Sequence, residues 1–172
     1  RLDVTGYTGS EDVADLNADF RVLANADAQL DAGNLGSASA VYDKLQSVQI
    51  AAGTSVNATI SAADAALIDE AKLQGDGALS ITDYTGQDLR SAASSLAISV
   101  EVGGTAAVDA TAADLAAADD VVINSGFALN LLAADADILG SKLSGDGDLN
   151  LANFLTADLS DINTSLNVDV SV

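Results

Sequence analysis

The chain has 172 residues and a formal net charge of −20, and it contains no Cys, His, Met, Trp or Pro. That composition excludes thiolate and imidazole catalysis, Ser-His-Asp triads, Cys/His zinc sites, haem ligation by those side chains and any disulfide framework. The charge excludes the basic footprint that nucleic acids require and would be repelled by an anionic membrane surface.

The length is enough for one domain with a continuous core, read here as a single repeat domain over residues 1–172. Hydrophobic residues make up 49%, but only three Tyr and three Phe are present, so the core must come from Leu, Val, Ile and Ala. Of 26 acids all but Glu11, Glu70 and Glu101 are Asp, a residue of turns and helix starts. No uninterrupted apolar run approaches the ~18–20 residues of a membrane span. The first residue is Arg1 rather than Met, which reads as a start that has been processed away or as an interior piece of a longer chain.

In chain order, short apolar runs fall at Leu2-Val4, Val22-Leu23, Val48-Ile50, Leu79-Ile81, Leu96-Val102, Val121-Ile123, Leu149-Leu151 and Leu166-Val172. Each reads as a short strand, with alternate residues sharing one face. Between them lie Ala/Leu segments of helical character: Ala14–Ala18, Ser39–Leu45, Ala62–Leu73, Gln87–Ser94, Thr111–Ala118 and Ala128–Leu139. Four spacings resemble capping boxes, Thr8-x-x-Glu11, Ser61-x-x-Asp64, Thr85-x-x-Asp88 and Thr111-x-x-Asp114. Strands alternating with helices imply parallel strands joined by crossovers. The expected fold class is therefore α/β: an irregular repeat solenoid with a parallel sheet of short strands and short Ala/Leu helices, with a parallel β-helix as the alternative.

Self-comparison supports repetition. Residues 73–102 align without gaps on 143–172, a shift of about 70, and 11 of the 30 pairs are identical. Gly75-Asp76-Gly77 matches Gly145-Asp146-Gly147, and Lys72 matches Lys142. The spacing of Leu2, Val4, Tyr7 and Glu11 recurs at Leu79, Ile81, Tyr84 and Asp88, and at Leu149, Leu151, Phe154 and Asp158. The repeat predicts Leu79-Ile81 and Leu149-Leu151 in equivalent places of one sheet, two or more coils apart. It also predicts burial of Leu79, Ile81, Ile98, Leu149, Leu151 and Val168.

The pattern Leu79-x-Ile81-x-x-Tyr84-Thr85-Gly86-x-Asp88-Leu89, with its copies, resembles repeats of very large bacterial surface and secreted proteins: adhesins, S-layer-like proteins and haemolysin-type exoproteins. The resemblance implies an extracellular, cell-surface location and no catalytic residues. The glycine-rich nonapeptide of haemolysin-type calcium repeats is missing from the sequence, so calcium binding does not carry over.

Asp146-Gly147-Asp148-Leu149-Asn150 places oxygens at alternate positions, as calcium loops begin, so Asp146, Asp148 and Asn150 are the candidate metal ligands. The same residues also read as a Gly-Asp-Gly turn feeding a strand. Asp119-Asp120 and Asp135-x-Asp137 are the carboxylate pairs to be weighed for acid–base work, against solvated turn and cap acids. Gly103-Gly104 lacks the Lys of a phosphate loop. The expected function is a structural or adhesive module that self-associates or continues into further repeats of the same chain. The alternative is a calcium- or glycan-binding module. No cofactor other than calcium is implied.

Overall fold

Alternation of apolar and polar residues over four to six positions yields strands too short to stand alone, and stacking is what buries their apolar side. The computed structural model describes residues 1–13, 15–25, 27–36, 42–52, 57–61, 64, 70–90, 95–163 and 165–171. They divide into two compact units, one of residues 1–81 with 91–97 and one of residues 82–90 with 98–172.

In the first unit β1 (Leu2–Thr5), β2 (Phe20–Ala24), β4 (Leu45–Ile50) and β6 (Leu73–Gly75) form one parallel row in that order. A second row is β3 (Ala28–Leu30), β5 (Asn57–Ser61) and β7 (Ala78–Thr82). The chain alternates between the rows from β2 to β7, so each circuit adds one rung to both. That is the architecture of a parallel β-solenoid. The register stacks Val4, Val22, Val48 and Leu73 into one apolar ladder.

The second unit repeats the plan. β8 (Ala97–Val102), β10 (Asp120–Ile123) and β12 (Leu143–Gly145) form one row. β9 (Ala107–Asp109), β11 (Ala128–Leu132), β13 (Asp148–Ala152) and β14 (Asn167–Val170) form the other. Val100, Val121 and Leu143 stack in one row, and Val108, Leu129, Leu149 and Val168 in the other.

The long repeat has a structural meaning. β1 pairs directly with β2, and β13 directly with β14, with no strand of the other row between them among the described residues. These are copies of one sequence pattern, so its appearance marks where the chain returns to the same row. Local contacts recur with it. Ser95 Oγ donates to Gly75 O at 2.7 Å and Ser165 Oγ to Gly145 O at 2.7 Å. Ala97 N–H donates to Gly77 O and Asn167 N–H to Gly147 O. Asp83 and Asn153, also matched, are the non-glycine residues with positive φ among those described.

Two expectations need correction. β7 follows β3 and β5, whereas β13 stands between β11 and β14 in a different sheet, so the matched strands share local surroundings without sharing a sheet. Leu79, Ile81, Ile98, Leu149 and Leu151 are buried, but Val168 is 37% exposed. β14 ends its row, so among the described residues no strand covers the outer flank of Val168.

Helix is scarcer than the Ala/Leu content suggests. Among the described residues Asp64 is helical, and an α-helix with described bounds, α1 (Ala133–Leu139), forms directly after β11 within the expected 128–139 segment. Ala133, Ala136 and Leu139 face inward, and Gly140 at φ +50° closes its end with an N–H bond to Ala136 O. Thr111–Ala118 is not a helix. Two of its N–H groups go to local side chains, Thr111 to Asp109 Oδ1 and Ala116 to Asp114 Oδ1, the competition that Asp commonly offers a helix, while Ala113 and Ala118 N–H close tight turns onto Ala110 O and Leu115 O. In Gln87–Ser94 the Leu89 N–H donates to Asp114 O in the neighbouring coil, which denies it to a helical turn. Residues 91–94 lie outside the described residues, as do Ala14, 39–41, 62–63 and 65–69 of the other expected helices. Tyr42–Lys44 and Glu70–Lys72 are single 3-10 turns.

The aromatic repeat position is mainly core. Tyr7 and Tyr84 are fully buried, and Phe154 is half-buried. Burial pushes both phenols well above the ordinary tyrosine range, helped at Tyr7 by Asp31 and Glu11 and at Tyr84 by Asp88. Tyr84 Oη donates to Gln87 O at 2.6 Å, while Tyr7 Oη has no partner among the described residues. Tyr84→Phe should therefore cost about 1 kcal/mol, and Tyr7→Phe should be neutral or stabilising. Urea denaturation of the two variants checks the difference, and equal losses would contradict it.

Candidate functional site

The Gly-Asp-Gly turns are shaped by the coil beneath them. A Cβ on Gly145 would lie 2.1 Å from Ile123 O, and one on Gly75 would lie 2.1 Å from Ile50 O. Asp146 N–H and Gly147 N–H both donate to Ile123 O, and Gly77 N–H donates to Ile50 O. The glycines are thus explained by close backbone approach.

The candidate metal ligands are spread over two elements. Asp146 lies in the turn, and Asp148 and Asn150 lie on the outward side of β13. Asp148 Oδ1 accepts from Asn167 Nδ2 at 2.9 Å, and Asn150 Nδ2 donates to Asn130 Oδ1 at 2.8 Å. Among the described residues no three Asp or Glu side chains converge on a point that could hold a metal ion.

The carboxylate pairs do not face one another. Asp119 Oδ2 accepts from Ile98 N–H at 3.1 Å, while Asp120 Oδ1 meets Ser144 Oγ at 3.3 Å. Asp135 and Asp137 are two apart on α1, a spacing that does not bring helix side chains together. Burial raises the Asp135 carboxyl above the ordinary range, with a smaller push from Asp114. Of the capping-box spacings, Ser61 bonds as expected, its Oγ accepting from Asp64 N–H at 3.1 Å, whereas at Thr8 the hydroxyl donates instead and no described helix follows. Thr8 N–H and Oγ1 both donate to Glu11, which holds that carboxyl below the usual range, and Ser61 Oγ bonds with Asp64.

What sequence reading missed is a row of polar side chains across one sheet. Register places Asp109, Asn130, Asn150 and Asp169 on four consecutive strands, β9, β11, β13 and β14. Together with Thr111 and Ser171 they line a cleft of about 520 Å³. The signal was a polar residue between apolar ones: Val108-Asp109-Ala110, Leu129-Asn130-Leu131, Leu149-Asn150-Leu151 and Val168-Asp169-Val170. Only strand register shows that these positions align.

The fold defines the class, a parallel β-solenoid in each unit. No family model, no curated protein and no solved structure matches the chain. Among the described residues no helix is long and apolar enough to cross a membrane.

Proposed function

We propose that this chain is a structural or adhesive module of a bacterial extracellular surface protein, extended by strand addition at its sheet edges into a longer solenoid, filament or surface layer. The observation that carries this reading is the state of β1 and β14. Each stands at the end of its row, with apolar side chains in the open: Leu2 at 46%, Val168 at 37% and Val170 at 45% exposure. An open parallel edge offers unpaired N–H and C=O groups to a further strand. When the strand comes from another copy, the contact is heterologous and makes open filaments unless its rotation closes a ring. The charge of −20 opposes sideways clumping until cations screen it.

Sedimentation of the chain over a wide concentration range tests the reading. Association should grow with concentration and salt, and Val168→Lys/Val170→Lys should abolish it. A monomer at every concentration, with strong hydrogen-exchange protection at Val4 and Val168, would overturn it. The second reading, a ligand-binding module, has the polar cleft on β9, β11, β13 and β14 in its favour.

A further inference from the structure

We propose that this cleft binds an uncharged polyhydroxylated glycan strand lying across β9, β11, β13 and β14, about one sugar unit per rung. The inference goes beyond the assembly reading and does not depend on it, since a monomer could bind sugar equally well.

Asn150 Nδ2 donates to Asn130 Oδ1, so Asn130 Nδ2 remains as a donor and Asn150 Oδ1 as an acceptor. Asp109 Oδ1 accepts from Thr111 N–H and Oγ1, which leaves Asp109 Oδ2 open. Asp169 is exposed, and its carboxylate makes no side-chain hydrogen bond among the described residues. Thr111 Oγ1 and Ser171 Oγ spend their protons on Asp109 Oδ1 and Leu151 O, and keep lone pairs. The cleft is therefore rich in acceptors, and its free donors are confined to the Asn130 amide and the second N–H of Asn150. A ligand that fits must bring many donors and few charges of its own, which describes hydroxyl groups.

Charge narrows the class. Asp109 and Asp169 sit at the two ends of the ladder, and the chain as a whole carries −20. Uronate and sulfated glycans would meet like charge at both ends, whereas a hydroxyl donating to a carboxylate gains a charge-assisted bond. Geometry sets the direction. Neighbouring strands lie about 4.8 Å apart, so four rungs offer polar groups over roughly 14 Å. A pyranose unit advances by a similar distance, and a chain crossing the strands would meet one polar rung per sugar.

Amide-resolved NMR titration of the chain with cellohexaose, xylohexaose and chitohexaose tests the proposal, with hexagalacturonate as the anionic arm. At least one neutral oligomer should shift the Asn130 and Asn150 side-chain amides, and its affinity should rise with length up to about four sugars. Asn130→Ala/Asn150→Ala should weaken that binding about tenfold. Asp169→Asn removes no intramolecular bond, so it should leave folding intact. It should weaken the neutral ligand several-fold and admit the galacturonate better. The proposal is overturned if no neutral oligomer shifts these amides, if the shifts fall elsewhere, or if galacturonate binds the unaltered chain as well as the neutral sugars do.

Discussion

Gly145→Ala should lower the unfolding free energy by roughly 3–5 kcal/mol, combining the strain of a side chain at positive φ with overpacking. Gly145 has φ +112°, and its missing Cβ would lie 2.1 Å from Ile123 O and 2.8 Å from Ile123 C and N. Those are backbone atoms of the neighbouring strand, where Ile123 pairs with Gly145, so no rotamer change relieves the overlap. The coils would have to separate at that rung. Gly126→Ala is the matched control: its φ is +86°, but nothing lies within 4 Å of the added Cβ. It should cost only about 1 kcal/mol from backbone strain. Urea denaturation of both variants decides the matter, and equal midpoints would show that the close approach at Gly145 has no energetic weight. Gly75→Ala should behave as Gly145→Ala does, because Ile50 O stands in the same place.

Ile81→Asp should destabilise by roughly 3–5 kcal/mol, the scale for a buried charge without a partner. Ile81 is 1% exposed on β7, flanked by half-buried Ser80 and Thr82. No basic side chain is found next to it in sequence, and an apolar ladder gives a carboxylate nothing to accept from. Val168→Asp makes the same chemical change at a residue 37% exposed at the end of its row. It should cost less than about 1 kcal/mol, as surface substitutions usually do. Thermal or urea melts compare the two directly. A near-native melt for Ile81→Asp would remove β7 from the core, and a large loss for Val168→Asp would mean that a further strand covers β14.

Period-two patterning at Leu79-Ile81, Leu149-Leu151 and Val121-Ile123 made the strands legible, because alternation is a local property of an extended chain. The Gly-Asp-Gly copies were legible too, although their cause, the carbonyls of Ile50 and Ile123, was not. Helix reading fared worse. Ala128–Leu139 splits into β11 and α1, and Thr111–Ala118 forms turns held by Asp109 and Asp114. Intrinsic helix preference amounts to less than about 1 kcal/mol per residue, so side-chain and inter-coil hydrogen bonds override it.

The candidate site followed the same division. Asp146, Asp148 and Asn150 were singled out by proximity along the chain, and β13 does align Asp148 with Asn150. The cleft gathers Asp109, Asn130, Asn150 and Asp169 from four strands, each about 20 residues from the next. The sequence by itself determined that the protein is acidic, repetitive, built of short strands and free of Cys and His chemistry, since composition and short-range pattern are properties of the chain alone. Tertiary structure alone decided which row each strand joins, that β1 and β2, like β13 and β14, are direct neighbours, and which polar side chains share a cleft. Those outcomes depend on inter-strand register, and register is fixed by hydrogen bonds and apolar contacts between residues far apart in sequence.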